Sequence, residues 1–338
     1  MAILQERKNS IATGGKSAKG LSCEKESVSG SVSQRACVYC GARVVLNPIT
    51  DAYHIVHGPI GCAAYTWDIR GSLTSGSDLY RHSFSTDLRE TDVIFGGEKK
   101  LAAAIDEIMA KAELNPKVFF IYCTCIVGVI GDDVEAVCRD VESRYNIRCI
   151  AVKAPGFSGT KSQGYKLACD AITELMLPHK TCEEYDGVNI LGDYNLAGEM
   201  WIIKGYLEQL GIPVVATITG DSSYDTLIQA PKAALNVVQC AGSSMYLAER
   251  MKDEFGIPYE KVSFFGVEDT TNSILKIAER FGKTDAAEKF LKEQTAQVMP
   301  ILEQYKPRLK GKKAAIFVGG GFKAISLIRQ FNELGIKT

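Results

Sequence analysis

The chain has 338 residues, 46% of them hydrophobic and 23% charged, and its 39 basic and 40 acidic side chains leave a net charge of −1. That balance argues against a broad electrostatic grip on nucleic acid or on an acidic membrane. No apolar run reaches the roughly 18 residues of a membrane span, and at about 150 residues per domain the length predicts two domains and a fraction of a third.

Residues 1–20 are rich in Lys, Ser and Gly and lack the apolar core of a secretory signal. They read as a flexible tail, and the protein is expected to be cytoplasmic. Its eleven cysteines would then lie in a reducing compartment, where a disulfide framework is not expected. Further along, Lys117–Cys125 (KVFFIYCTC) predicts a buried strand and Asp133–Tyr145 an amphipathic helix. Arg148–Lys153 predicts a strand, PGFSGTKSQG a loop, and the residues to about Leu177 a helix. Gly187–Asn195 restarts the pattern as a strand, with a helix over Leu196–Leu210 and a strand over Pro213–Gly220. Ala233–Cys240 is a strand, Ser243–Phe255 a helix and Val262–Val267 a strand, followed by helical stretches from Glu268 to about Tyr305. Lys313–Gly321 is a strand with a Gly-rich exit, and Phe322–Leu334 a helix.

Strands separated by helix-length segments imply parallel sheets built from right-handed crossovers. The expected fold class is α/β, with tandem Rossmann-like domains over 21–182 and 183–308 and the start of a third over 309–338. One βα unit cannot cover both faces of a sheet, so the third domain is expected to be incomplete. Gly319–Gly321 follows a strand as a phosphate loop would, but the nucleotide fingerprint and the Walker lysine are missing. A tight turn is the expectation there.

Cys138, Cys149, Cys169 and Cys182 fall in or beside regular elements and read as core residues; Cys23, in the polar N-terminal stretch, reads as incidental. Cys37, Cys40, Cys62, Cys123, Cys125 and Cys240 fall where the chain turns, the places where α/β folds hold ligands. Cys37 (RACVYCGA), Cys62 (HGPIGCAAY) and Cys125 come from three separate loops. Thiolates are the usual ligands of iron–sulfur clusters and a four-iron cluster takes four, so three here would leave one to a partner chain. Spacing alone leaves structural zinc and unliganded thiols open. Cys37-x2-Cys40 by itself suggests a zinc knuckle or a redox pair equally well. Four histidines, His54, His57, His82 and His179, offer little for a zinc site built on imidazoles. His57 reads as structural, Asp132 and Asp133 as the N-cap and first-turn charge of a helix, and Trp67 and Trp201 as packing residues.

From about Cys37 onward the chain resembles the α-type subunits of the nitrogenase component 1 superfamily. The stretches that carry the resemblance are HIVHGPIGCAAYTWDIRG, SFSTDLRETDVIFGGEKKL, CTCIVGVIGDD, PGFSGTKSQGYKLACDA, NILGDYNLAGEMW and NVVQCAGSSMYLAERM. Within the family, the TWDIRG run and DYNLAGEMW look like members that assemble the iron–molybdenum cofactor and less like the catalytic α subunit. The resemblance implies that Cys37, Cys62 and Cys125 hold a [4Fe-4S] cluster shared with a β-like partner in a heterotetramer. It implies that Cys240 anchors a transient precursor of the iron–molybdenum cofactor, with Arg70 and Lys161 supplying charge that suits an anionic cluster. Cys40 and Cys123 do not match ligand positions of the family.

Lys161 and Tyr165 stand where the catalytic subunit carries Gln and His, which serve substrate reduction. A phenol, with an ordinary pKa of about 10, does not replace imidazole as a proton donor near neutral pH. The expected function is therefore that of a scaffold. It would receive a precursor from delivery proteins and electrons from the nitrogenase iron protein, and pass the finished cofactor to apo-nitrogenase. The competing readings are a catalytic α subunit and an α/β protein with structural zinc or free thiols. Full-length members carry a complete third α/β domain, of which only the beginning is expected here.

Overall fold

Two six-residue segments, AYHIVH and VFFIYC, are buried along their whole length. Strands covered on both faces need helices on both sides, which a parallel sheet with crossover helices supplies. The computed structural model describes residues 37–66, 73–74, 76, 78–111, 115–180, 185–239, 243–317 and 321–338. The two segments are strands β1 (Ala52–His57) and β3 (Val118–Cys123), joined by β2 (Ser83–Ser85) and β4 (Arg148–Lys153) in a sheet of order β2-β1-β3-β4. All its pairings are parallel. Its helices are α1 (Val38–Leu46), α2 (Ile60–Thr66), α3 (Glu90–Phe95), α4 (Glu98–Met109), α5 (Cys125–Ile130), α6 (Val134–Tyr145) and α7 (Lys161–Met176). Side chains alternate across β3 with the period of two that a strand imposes. Val118, Phe120 and Tyr122 pack with α1 and α7, while Phe119, Ile121 and Cys123 pack with α4 and α6.

A second parallel sheet has the order β6-β5-β7-β8, from β5 (Tyr185–Asp193), β6 (Val214–Thr219), β7 (Ala233–Val238) and β8 (Tyr259–Lys261). Its helices are α8 (Glu199–Gln209), α9 (Tyr224–Leu227), α10 (Ser243–Phe255), α11 (Gly266–Arg280), α12 (Thr284–Leu309) and α13 (Gly321–Glu333). One face packs on α8, α11 and α12. From the other face Leu191, Ala216, Ile218 and Val238 enter the same core as α1, α7 and the first sheet. The two sheets are thus joined through one continuous apolar cluster.

Three expectations are corrected. The last strand of the second sheet is β8, not Val262–Val267: a glycine at positive φ, Gly266, opens α11 inside that apolar run. The Glu333 carboxylate accepts the exposed amides of Val267 and Glu268 at 3.0 and 2.8 Å, which fixes the helix start. Among the described residues, the expected strand from Lys313 makes one bridge, to Lys337, and no other strand pairs with it. Its Phe317 is left exposed, and 318–320, with two of the three glycines, lie outside the described residues. Finally, β7 ends at Val238, and Cys240 lies outside the described residues.

Helices α1 and α7 meet backbone to backbone. A Cβ on Gly164 would lie 1.9 Å from the Val38 carbonyl oxygen, and one on Gly41 would lie 2.0 Å from that of Lys161. No backbone shift short of separating the helices would relieve such contacts. Gly164→Ala is therefore expected to destabilise the chain by about 3 kcal/mol. Gly205→Ala, in α8 with no neighbour within 4 Å, is expected to add about 0.5–1 kcal/mol. Urea denaturation of both variants checks the contrast.

Candidate metal centre

Strands β1, β3 and β4 end level. His57 lies opposite Cys123, and Cys123 opposite Lys153. The next residues of all three therefore leave the sheet at one edge, the carboxyl edge where α/β folds hold ligands. Thr124 donates from its amide and its hydroxyl to the His57 carbonyl at 3.2 and 3.0 Å. A Cβ at Gly58 would stand 2.0 Å from that hydroxyl, whereas one at Gly61 would meet nothing within 4 Å. Of the two glycines in HGPIGC, the packing requires the first. Cys62 follows in α2, its amide donating to the Pro59 carbonyl at 3.0 Å. Cys125 is the first residue of α5, with Thr124 as N-cap.

Cys37 arrives from outside the sheet as the N-cap of α1, bridged to Thr160. The meeting point is Gly156, whose amide donates to the Cys125 Sγ at 3.1 Å. A Cβ on Gly156 would lie 3.1 Å from that sulfur and 3.3 Å from the Cys37 Sγ. Burial pushes the Cys62 thiol up, and the nearby Cys125 and Cys37 add to the shift. Cys37 and Cys125 thus meet at Gly156, and Cys62 lies within electrostatic reach of both. Cys37 and Cys62 are half-buried and Cys125 is exposed. Among the described residues, no three His, Cys, Asp or Glu side chains close around a single ion.

The Cys40 thiol hydrogen-bonds to Cys37 and, against the opposing effect of burial, holds it down to about 6; Cys40 itself is pushed up and fully buried. Cys123 points away into the α4–α6 side of the core, where burial pushes it up to about 12. Lys161 opens α7 one residue after the Cys37–Thr160 bridge. Its ammonium lies 5.8 Å from the centre of the Tyr165 ring. Arg70, Trp67 and Cys240 lie outside the described residues. Trp201 is half exposed and donates to Asp221 Oδ1 at 3.2 Å, so it is a polar anchor as well as a packing residue. Asp133 caps α6 by accepting the Ala136 amide at 2.9 Å. Asp132 has a different role from the one expected. It accepts from His57 Nε2 at 3.0 Å and from the Gly97 amide at 3.1 Å, tying the end of β1 to the start of α4.

Two features escaped the sequence reading. Gly156 is hidden in PGFSG, which reads only as a loop. Arg43, inside the apolar run of α1, is 1% exposed. Its Nη2 donates to Ser83 Oγ and its guanidinium lies 5.3 Å from the Tyr122 ring centre. Nε and Nη1 have no partner, and among the described residues no carboxylate pairs with it. Tyr39, pushed up to about 12 by burial, is within electrostatic reach of Arg43, Cys62 and Cys40. A lone charged residue in an apolar helix gives no sign in sequence that it is buried.

The fold and these thiols define the class. Residues 37–338 match the family described as nitrogenase component 1 type oxidoreductase, and the chain belongs to that family. It is 64% identical over its whole length to the nitrogenase iron-molybdenum cofactor biosynthesis protein NifE of Clostridium pasteurianum, of which it spans 75%. It is 47% identical to the protein of the same name from Methanosarcina barkeri, over 99% of this chain and 75% of that one. Among solved structures, "Nitrogenase Cp1 at pH 6.5" matches with a TM-score of 0.83 and 34% identity over 93% of this chain. The chain spans 62% of that nitrogenase chain.

A buried guanidinium with two unpartnered donors is costly, each unmade hydrogen bond amounting to about 1–3 kcal/mol. Arg43→Met keeps the apolar stem and removes the charge. The metal-free variant is expected to be more stable than the parent by about 1 kcal/mol or more, read as a higher urea midpoint. A lower midpoint would mean that Arg43 contributes favourably to the metal-free fold.

Proposed function

We propose that the chain is the α-type subunit of a scaffold on which the iron–molybdenum cofactor of nitrogenase is assembled, working in the cytoplasm with a NifN-like β subunit as a heterotetramer. The observation that carries this reading is the meeting of Cys37 and Cys125 at Gly156, with Cys62 within electrostatic reach of both. The names of the relatives at 64% and 47% identity support it.

The donor set fits a [4Fe-4S] cluster. The Gly156 backbone lies where any side chain would crowd the sulfurs of Cys37 and Cys125, and Cys62 is the third soft thiol within electrostatic reach. In such a cluster each thiolate takes its own iron, so the ligands need not close on one point as the four ligands of zinc do. Cys37, Cys62 and Cys125 would each hold one iron and the partner would supply the fourth ligand. When bound, such a cluster supplies one-electron redox capacity. The amide of Gly156, aimed at Cys125, would stabilise the thiolate form. Arg43, buried in α1 without a carboxylate partner among the described residues, would add positive charge to the surroundings of an anionic group.

The partner would cover an apolar rim around the thiols. Ile94 and Phe95 at the end of α3, Val129 in α5, Phe157 beside Gly156 and Ile60 beside Cys62 are exposed. They belong to one edge: a Cβ on Gly96 would lie 3.5 Å from Asp132, just after α5, and one on Gly128 would lie 3.4 Å from the Phe157 ring. A patch of exposed large apolar side chains beside a polar centre marks an interaction surface.

The precursor is cargo. Its anchor would be Cys240, with Arg70 and Lys161 as anion-holding cations, the precursor arriving from delivery proteins and the product leaving to apo-nitrogenase. The nitrogenase iron protein would be the reductant. The 34% match to a nitrogenase chain keeps a catalytic role in view. Lys161 and Tyr165 speak against it, and a purified complex is expected to show no acetylene reduction.

Anaerobic co-expression with the β-like subunit, followed by iron and acid-labile sulfide analysis, tests the cluster. Cys62→Ala is expected to lose about four irons per αβ unit. An iron-free wild-type complex would sink the proposal. Phe95→Asp is expected to lower co-purification of the β subunit about tenfold or more while leaving the circular dichroism of the chain unchanged. Undiminished recovery of the partner would remove this edge from the interface.

A further inference from the structure

We infer that Cys37 and Cys40 form a reversible disulfide in the chain before metal is bound, and that this bond withdraws Cys37 from the three-thiol site. The bond rests on local geometry alone; its consequence rests on the proposed ligand role of Cys37.

Cys37 is the N-cap of α1 and Cys40 its third residue. Residues three apart on a helix share a face, with Cβ atoms about 5–6 Å apart, close to the roughly 3.5–4.5 Å that a disulfide needs. An extended N-cap residue is not held to the helical path, and Cys37 has φ −97° and ψ −177°. The Gly41 amide donates to the Cys37 carbonyl at 3.1 Å, which holds Cys37 on the first turn of α1. Exposure divides the roles: Cys37 is half-buried and Cys40 is 0% exposed. The first can meet a reagent from solvent, and the second can be reached only by Cys37. Such a pair in C-x-x-C spacing at a helix start is the arrangement of dithiol redox couples. The rival thiols are otherwise engaged or placed. Cys125 accepts the Gly156 amide, with the Gly156 backbone against both its sulfur and that of Cys37. Cys62 sits on a different helix, α2.

The oxidant is a small-molecule disulfide. The Cys37 thiolate attacks one sulfur of oxidised glutathione, and the first glutathione leaves as a thiolate. Cys40 gives up its proton and attacks the Cys37 sulfur of the mixed disulfide, and the second glutathione leaves. Two protein thiols are oxidised and one glutathione disulfide is reduced to two thiols, which take up the protons. A thiol reductant reverses both steps. Closed in this way, Cys37 is shielded from irreversible oxidation, and the site opens only under the reducing conditions in which a cluster survives.

The sequence provides a direct readout, because trypsin releases both cysteines in one peptide, Ala36–Arg43. The metal-free full chain is treated anaerobically with oxidised glutathione, alkylated and digested. The expected wild-type peptide carries no alkyl group and is lighter by two hydrogens. In Cys40→Ala, and in Cys40→Ser should the alanine variant not fold, the same peptide carries glutathione on Cys37. A wild-type peptide that keeps glutathione or takes two alkyl groups would overturn the inference, as would a cross-link to Cys62 or Cys125. The second arm offers ferrous iron and sulfide to the oxidised and the reduced chain. The oxidised form is expected to bind at least twofold less iron until a thiol reductant is added. A mapped disulfide without any difference in iron uptake would leave the bond standing and remove the ligand role of Cys37.

Discussion

The level ends of three parallel strands are the constraint on which the candidate centre depends. Parallel pairing sets a register, and here the register places His57, Cys123 and Lys153 in one row. Three turns distant in sequence therefore start from the same line. Each turn then carries its own device: Gly58 under Thr124, Thr124 as cap of α5, and Gly156 with no side chain. A slip of one residue in β3 would turn Phe119 and Phe120 to the wrong faces and carry Cys125 off the edge. The packing of the core and the position of the thiols are thus the same requirement.

Charge is distributed around this edge in an unusual way. Burial raises the Cys62 thiol, and the neighbouring Cys125 and Cys37 add to the shift, since ionised thiols repel one another. Arg43 is buried in α1 and, among the described residues, lacks an ion-pair partner. A fold selected for stability alone has little reason to keep an unpaired guanidinium in the core, where an apolar side chain of similar shape does better. A fold that must hold an anionic group on three thiolates gains from it, since a buried charge acts through a poorly screening medium.

Much of the fold was legible because its strands are short, apolar and spaced by helix-length segments. RCIAVK is a strand as read, and KVFFIYCTC is one as far as Cys123, after which Thr124 caps a helix that Cys125 opens. VSFFGV misled because an apolar run does not reveal that a glycine within it starts a helix. KAAIFVGGG misled because β character needs a neighbour, and a strand sequence with no partner strand makes a single bridge. At the centre, the residue types of Cys37, Cys62 and Cys125 pointed to thiolate chemistry, but three loops separated by 25 and 63 residues could be brought together only by knowing the register. Gly156 and Arg43 carry no sequence signal, since one acts by having no side chain and the other by where its helix is buried. Asp132 was read from its place before a helix, whereas its partner His57 is 75 residues away.

Helix α7 links the thiol edge to the rest of the molecule. Its first turn lies beside the Cys37–Thr160 bridge, with Gly164 locked against Gly41. Its body, through Ala168, Ile172 and Leu175, lies in the cluster that also takes Leu191, Ile218 and Val238 from the second sheet. A close-packed interior transmits displacement rather than absorbing it. Moving the second sheet relative to α7 would open a cavity in that cluster, and moving α7 relative to α1 would separate helices that are in backbone contact. The carboxyl edges of the two sheets are therefore mechanically one body at this helix. The spacing between the two edges is then set by packing.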